Sequence, residues 1–276
     1  MNTAIVTDST ADVPSELAEI MHISVIPAIL MLGEQSFEDG NGITREEFYF
    51  RLPEMKQLPT TGTPASGAFE NVYQRILDQG FQKIISIHVA STLSGIYNTA
   101  QLASKNFNGY VTVIDSESLS MGIGFQVIAA AEAALNNLPI EAILKIIETT
   151  RNKTKLLAML DTLEYVHRSG RVGWTRARIG SLLRIKPFVE VNEGQVINMG
   201  QARTRKKGLD HLKETLIKQG KLQRLAILHT NAEDDAHAFI QNLGTTIPSD
   251  PLIVNVTTVI GTHVGPNALG FAAVLR

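Results

Sequence analysis

The chain of 276 residues contains no cysteine. This absence excludes a disulfide framework, a thiolate nucleophile and thiolate metal ligands, and it leaves the cytosol as the expected compartment. No apolar run approaches the length of about 18 residues that a membrane-spanning helix needs. The first residues, 1–8, lack a basic segment followed by a long apolar one, so they predict a strand and not a signal peptide.

Several catalytic motifs are also missing. The seven histidines form no HxH or HExxH pair, which gives metal catalysis little support. There is no GxxxxGK[ST] phosphate loop and no GxSxG turn, and Gly122-Ile123-Gly124 lacks the rest of the dinucleotide fingerprint. The prediction is a protein without metal or cofactor, and without a nucleic-acid partner.

The formal net charge is only −2, but the charges are unevenly distributed. Residues 1–150 carry 7 basic and 17 acidic side chains, residues 151–224 carry 17 and 6, and residues 225–276 carry 1 and 4. A basic segment between acidic ends is typical of a site for an anion or an acidic partner. It is equally typical of a solvated face that keeps a protein soluble, so both interpretations stay open here.

Apolar runs alternate with helical patterns along the first half of the chain, which predicts a parallel sheet flanked by helices. In the second half, the turn Asn192-Glu193-Gly194 between apolar segments predicts a β-hairpin. Fewer helices separate the strands there, which indicates a mixed, largely antiparallel sheet. We predict an α/β protein of two domains, residues 1–155 and 156–276.

Four polar loops are predicted at strand ends. Ligands bind beyond the carboxyl ends of strands in open parallel sheets, and hydroxyl groups at helix starts bind carboxylate or phosphate. Serine, threonine and aspartate at helix starts are also ordinary caps, so each loop alone is ambiguous. The loops comprise residues 7–10, 60–64, 90–95, and 115–116 with 121–124.

Two further segments favour ligand binding. His263 follows the apolar residues 253–259, which predict a strand, and lies between Gly261 and Gly265, which predict a rigid turn. Arg171 lies between two glycines, and a guanidinium suits forked binding of carboxylate or phosphate. A capping or solvated role is an alternative for both side chains.

Five motifs follow one another in an order that is similar to that of a known family. They are Thr7-Asp8-Ser9-Thr10-Ala11-Asp12-Val13-Pro14, Thr61-Gly62-Thr63-Pro64, Ser91-Thr92-Leu93-Ser94-Gly95, Leu163-Glu164-Tyr165 through Ser169-Gly170-Arg171-Val172, and Thr262-His263-Val264-Gly265-Pro266. With them the chain resembles, over essentially its whole length, the DegV family, of the type that forms the fatty-acid-binding subunit of bacterial fatty acid kinase. The resemblance implies a lipid-binding carrier with a long-chain fatty acid between two α/β domains.

The resemblance also implies partners and roles. A separate ATP-dependent kinase subunit would phosphorylate the bound carboxylate, and the acyl phosphate would enter phospholipid synthesis. Transient contact with a membrane surface is left open. The carboxylate-binding residues would be Thr61, Ser91, Ser94 and His263. Arg171, and Arg203 from the basic segment, would face the head group, the acyl phosphate or the partner.

Four positions depart from the family pattern, which leaves fewer polar groups for a carboxylate. They are Gly62 in place of serine, Ala90 in place of the first serine of a pair, Ile96 in place of threonine, and Ser169 in place of glycine. An acyl tail needs a long apolar cavity. The expected tunnel walls are Ile26, Ile29, Leu30, Leu93, Ile123, Phe125, Ile128, Leu160, Leu183 and Phe271.

Two other functions compete with the carrier. A serine hydrolase or acyltransferase would use Ser91 or Ser94 with His263 and an acid such as Asp8, although the nucleophile-elbow pattern is missing. A sugar-phosphate or nucleotide-phosphate binder would use the same helix starts.

Overall fold

The computed structural model describes residues 2–174, 185–244 and 247–276. It is an α/β fold with a four-stranded parallel sheet and a six-stranded mixed sheet. No helix within these ranges is both long enough and apolar enough to cross a membrane. The helices and strands of the first half are β1 (Thr3–Asp8), α1 (Ser15–Ile20), β2 (Ser24–Ile26), β3 (Ile29–Leu32), β4 (Gln35–Glu38), α2 (Arg45–Arg51), β5 (Thr60–Gly62), α3 (Ser66–Asp78), β6 (Lys83–His88), α4 (Ile96–Ser104), β7 (Val111–Asp115), α5 (Met121–Leu135) and α6 (Ile140–Lys153).

The second half carries the mixed sheet and the remaining helices. Its elements are β8 (Thr154–Met159), α7 (Glu164–Ser169), β9 (Lys186–Asn192), β10 (Gln195–Ala202), α8 (Arg205–Lys218), β11 (Leu222–His229), α9 (Glu233–Leu243), β12 (Leu252–Asn255), α10 (Thr258–Val264) and β13 (Leu269–Leu275). The predicted hairpin is confirmed, since β9 and β10 pair antiparallel around Glu193 and Gly194, both at positive φ.

The parallel sheet has the strand order β2-β1-β6-β7. Its central strands are apolar on both faces, as burial between helices requires, and α3, α4, α5 and α6 contribute to the same core. Helix α5 is apolar around nearly its whole circumference and contacts both β1 and β8, so it lies between the two sheets.

The mixed sheet has the order β10-β9-β8-β13-β11-β12, and only β11 and β12 run parallel. Helices α8 and α9 pack on one face, around a core that includes Phe188, Leu212, Phe239 and Phe271. The other face is turned toward α5 and the loops of the parallel sheet. A ligand that enters between the sheets therefore meets strands on one side and loops on the other.

The apolar run at residues 23–32 predicts one strand, and this prediction is wrong. Pro27 has no N–H to donate, and the chain divides there into β2, which joins the parallel sheet, and β3, which belongs to a third sheet. That sheet is antiparallel, with the order β4-β3-β5, and α2 packs against it. Thr60–Gly62, predicted as part of a loop after a parallel strand, forms its edge strand β5.

The prediction of a strand over residues 253–259 holds only as far as Asn255, and the predicted turn at His263 is wrong. Strand β12 ends at Asn255, and the side chain of Thr257 accepts the backbone N–H of Val259 at 3.1 Å and begins α10. The β-branched residues in this stretch favour a strand by propensity, but the cap and the surrounding contacts override that preference. His263 thus lies in the last turn of a short helix.

Candidate functional site

A cavity of about 530 Å³ lies between the parallel sheet and the mixed sheet. Loops after β1, β6 and β7, together with β5, form one wall, which we call the loop wall. Strands β8, β9, β10, β11 and β13 form the opposite one, which we call the strand wall. Helices α7 and α10 close the remaining side. The volume is typical of a small-molecule site.

The strand wall is almost entirely apolar. Its lining side chains point to one face of the mixed sheet because alternate residues of a strand share a face. They include Leu156, Ala158, Val189, Val191, Val196 and Leu228, and Gly270 and His229 also border the cavity. Burial lowers the pKa of His229 below its usual 6.5, so this imidazole is neutral at physiological pH. This wall offers packing surface and no charged group.

Most of the expected tunnel walls lie elsewhere. Leu93 and Leu160 line the cavity. Six of the others are packed into the hydrophobic cores, namely Ile26, Leu30, Ile123, Phe125, Ile128 and Phe271. Ile29 packs beneath Gly62, and Leu183 lies outside the described residues. The predictions for the six core residues are wrong because an apolar side chain fills a core or lines a cavity equally well, and only the tertiary structure decides which.

Thr61 and His263 meet at the polar end of the cavity. The hydroxyl oxygen of Thr61, on β5, lies 3.0 Å from Nε2 of His263, on α10. The two residues are 202 positions apart in the chain. Both line the cavity, so this contact joins the third sheet to the end of α10 at the site itself.

His263 is neutral at physiological pH. Burial is the main cause that lowers the pKa of His263 from its usual 6.5 to about 4, and the nearby Arg171 guanidinium lowers it further. Its Nδ1 is buried and makes no hydrogen bond with the described part of the chain. A neutral imidazole at this place acts through one N–H donor and one lone pair.

Ser91 and Ser94 follow β6 on the loop wall, and both line the cavity. Asp115 at the end of β7 fixes Ser91 by accepting its backbone N–H at 3.2 Å, and the Ser91 hydroxyl makes no hydrogen bond to the described residues. The Ser94 hydroxyl accepts the N–H of Ile96 at 3.3 Å, which leaves its proton available. The structure therefore brings Thr61, Ser91, Ser94 and His263 to one cavity.

The two predicted arginines occupy different places. Arg171 lines the cavity, and its guanidinium donates to the carbonyl of Ser169 at 2.7 Å. Arg203 is exposed on a separate surface depression near Phe188 and Lys207, away from the cavity. Neither arginine forms an ion pair within the described ranges. Their charges are available to a ligand or a partner.

The four departures from the family pattern have different consequences. Gly62 and Ser169 border the cavity, and the Ser169 hydroxyl donates to the carbonyl of Val166 at 2.8 Å. Ala90 is buried outside the lining. Ile96 is buried in the core of the parallel sheet and touches the cavity. The hydroxyls of the usual residues are absent at Gly62, Ala90 and Ile96.

The proposed hydrolase constellation is not assembled. Asp8 accepts from Nδ1 of His88 at 2.9 Å, while Nε2 of His88 lies 2.7 Å from the Ser86 hydroxyl, so the acid belongs to a different histidine. This arrangement has the connectivity of a catalytic triad, but all three side chains are fully buried and none lines the cavity. Tyr73 also donates to Ser86 at 2.9 Å, which completes a sealed network.

Two polar contacts near the cavity have no counterpart among the sequence predictions. The hydroxyl of Ser120, which lines the cavity, donates to the buried carboxylate of Asp12 at 2.6 Å. The backbone N–H of Gly194, at the tip of the β9–β10 hairpin, donates to the carbonyl of Glu117 at 2.8 Å. Asp12 and Ser120 both have a positive φ, a backbone conformation that their residue types do not predict. Across the described residues, no group of three or more histidine or acidic side chains could hold a metal.

Comparisons with known proteins extend over the whole chain. The DegV family model matches residues 2–276. A DegV domain-containing protein of Listeria innocua is 32% identical over 272 residues, which cover 97% of this chain and 96% of that protein.

Solved structures of this family share the fold. A DegV family protein from Thermus thermophilus superposes with a TM-score of 0.92 at 31% identity and full coverage of both chains. That protein is described as binding fatty acid. DegV from Bacillus subtilis, described as a fatty acid binding protein, superposes with a TM-score of 0.87 at 32% identity, again with full coverage. Because the family model matches residues 2–276 and relatives above 30% identity cover nearly the whole chain, the chain belongs to the DegV family.

Proposed function

We propose that the cavity binds a long-chain fatty acid, with the carboxylate at Thr61, Ser91, Ser94 and His263. The observation that carries the proposal is the polarity of the cavity, which has hydroxyl groups at one end and an apolar strand wall beyond them. Fatty acids have the same division between one polar group and a long apolar chain. The fatty acid binding described for the relatives from Thermus thermophilus and Bacillus subtilis supports this assignment.

The polar end suits a carboxylate without a metal. A carboxylate only accepts hydrogen bonds, and the free Ser91 hydroxyl together with the available proton of Ser94 supplies donors. Arg171 adds a positive charge at the same end of the cavity. Hydrogen bonds to a charged group are stronger than those between neutral groups, so a few donors are enough to orient the ligand.

Lipid extraction from the purified protein tests this function. We expect denaturing mass spectrometry to detect a long-chain fatty acid and a delipidated sample to bind added palmitate or oleate. If neither the extract nor the added acids reveal binding, the proposal is wrong. Detection of a nucleotide, or a serine adduct with a fluorophosphonate probe, would instead support one of the competing functions.

We further propose that the chain acts as a carrier that presents the carboxylate to a separate ATP-dependent kinase subunit. Arg171 at the cavity and Arg203 on the outer surface carry charges without ion-pair partners in the described part of the chain. A developing acyl phosphate gains more from a nearby cation than a bound carboxylate does, because its negative charge is larger.

This second step has its own test. With a fatty acid kinase subunit added, we expect Arg171→Ala and His263→Ala to lower acyl-phosphate formation by a larger factor than they lower fatty acid affinity. Equal losses in binding and in turnover would contradict a role for these residues in phosphoryl transfer.

A further inference from the structure

The third sheet and α2 hold helix α10 at both of its ends. At the end of the helix, Thr61 contacts His263 at 3.0 Å. At its start, Asp39, just after β4, accepts the hydroxyl of Thr257 at 2.5 Å and that of Thr258 at 2.8 Å. One folded segment therefore carries both the head-group threonine and the acceptor that fixes the helix opposite it.

Tyr49 of α2 supplies a second hold on the same helix. Its side chain is fully buried, and its hydroxyl donates to the carbonyl of Val256 at 2.8 Å. The tyrosine also packs directly on Gly261, where a Cβ atom would lie 2.3 Å from the hydroxyl oxygen. Only a glycine fits at this position. The contact between Tyr49 and Gly261 therefore sets the distance between α10 and α2, and it does so two residues before His263.

The tautomer of His263 decides whether the hydroxyl proton of Thr61 is free for a ligand. A neutral imidazole carries one N–H, and on Nδ1 it would be a buried donor without a partner in the described residues. On Nε2 it donates to the oxygen of Thr61. Thr61 then keeps its own hydroxyl proton for a ligand oxygen. This polarity requires that the two side chains stay within hydrogen-bond distance.

We propose that Asp39 and Tyr49 are positioning residues for the head-group site, which hold α10 so that His263 directs the hydroxyl proton of Thr61 toward the ligand. Neither residue lines the cavity, so their effect on a ligand is transmitted through α10. The inference rests on the proposed fatty acid function for the identity of the ligand. It does not depend on that function for the geometry of His263.

The test compares two conservative variants with a matched control. Tyr49→Phe removes the hydroxyl but keeps the ring on Gly261, and Asp39→Asn keeps the size of the side chain but not two equivalent acceptors. The control is Tyr73→Phe, which removes another fully buried tyrosine hydroxyl, bonded at 2.9 Å within the parallel-sheet core. Each protein is measured for its thermal midpoint, its affinity for oleate and the NMR titration of the His263 ring between pH 5 and 8.

In the parent, burial lowers the pKa of His263 to about 4, so we expect its ring to stay largely neutral across this pH range. We expect Tyr49→Phe and Asp39→Asn to weaken oleate binding by about tenfold, the effect of compromising one hydrogen bond to a charged group. We also expect the ring to titrate within the range, because a helix that is held less firmly exposes His263. Tyr73→Phe should lower the thermal midpoint without either change.

Three outcomes separate the possibilities. If the two variants bind oleate as tightly as Tyr73→Phe and their His263 rings stay neutral, the positioning role is wrong. If the parent binds oleate, a ring that titrates in the variants while their oleate affinity is unchanged also overturns the positioning role. If the parent itself binds no oleate and the ring nevertheless titrates in both variants alone, the positioning of His263 stands and the fatty acid function fails.

Discussion

The loop wall and the strand wall of the cavity are built by different means. On the loop wall, polar side chains are fixed one by one, as Asp115 fixes the backbone of Ser91. On the strand wall, the register of β8, β9 and β13 alone decides that Ala158 and Val189 share a face. Hydrogen bonds are directional and recognise a group, whereas packing recognises a volume. We therefore expect changes to the loop wall to alter which head group binds, and changes to the strand wall to alter how long an acyl tail fits.

The largest expected effect is at the strand wall. Ala158→Phe places an aromatic ring into the space that an acyl tail would fill. If about four methylene groups lose their contacts, the loss is about 3 kcal/mol, or roughly a hundredfold in affinity for oleate. Isothermal titration calorimetry with oleate and with a shorter acid, such as decanoate, checks this, and the shorter acid should be affected less.

Ala202→Phe is the matched control for this change. Ala202 lies on β10 of the same sheet but packs toward the opposite core, outside the cavity. It should change oleate affinity little. If Ala158→Phe binds oleate like the parent, the tail does not follow the strand wall.

The two walls also differ in how far the sequence predicts them. The polar loops at residues 7–10 and 90–95 can be predicted from local capping and turn residues. The structure places both at the carboxyl ends of strands of the parallel sheet. The apolar wall has no local signal, because Phe125 of a core and Val191 of a cavity belong to the same residue classes.

Long-range contacts explain the other differences. The alternation of strands and helices predicts both sheets, yet it does not reveal the third sheet, since β3 and β5 are separated by 27 residues that include a helix. The contact of Thr61 with His263 is of the same kind. The family motifs name both residues, but only the fold shows that they touch.

A buried carboxylate behind the loop wall lowers the free energy of unfolding when it is charged, and the strand wall contains no such group among the described residues. Asp12 is buried beside Ser120, 3.3 Å from Arg45, and burial raises its pKa from 3.8 to about 6. The folded protein therefore binds this proton more tightly than the unfolded chain does, and the free energy of unfolding should rise as pH falls from about 6 to about 4. A shift of this size corresponds to about 3 kcal/mol.

Asp12→Asn isolates that contribution. We expect the variant to lose the rise in stability between pH 6 and pH 4, measured by urea unfolding at several pH values. Glu47→Gln, on an exposed carboxylate that pairs with Arg51 at 3.1 Å, is the control and should leave the pH profile unchanged. A parent profile without this rise would show that Asp12 is charged at no cost.

A smaller effect is expected from single hydroxyls of the loop wall. Ser91→Ala removes a donor without other partners in the described structure and should weaken fatty acid binding by about 1.5–3 kcal/mol, or roughly tenfold or more. Ser104→Ala, on a hydroxyl that donates to the carbonyl of Gln101 outside the cavity, is the matched control. Equal affinities for the parent, Ser91→Ala and Thr61→Ala would place the head group elsewhere.

The smallest expected effect on fatty acid binding is at the exposed part of the basic segment, where Arg203 contacts neither wall of the cavity. Arg205 in the same stretch is structural, since its Nε donates to Asp235 at 2.6 Å and it also reaches the carbonyl of Asn267. Arg203 and Lys207 are exposed and pair with no acidic group in the described ranges, so they can be reversed without breaking a known contact.

For the double variant Arg203→Glu with Lys207→Glu, we expect unchanged fatty acid content and thermal midpoint. If this surface docks an acidic kinase subunit, the association rate should fall, and it should depend less on salt than the parent's rate does, because exposed charges are screened beyond about 8 Å at physiological ionic strength. Stopped-flow mixing with the kinase subunit at several salt concentrations measures both quantities. An unchanged rate and salt slope would make the basic segment a solvated face, and a loss of bound fatty acid would mean that the outer surface and the cavity are coupled.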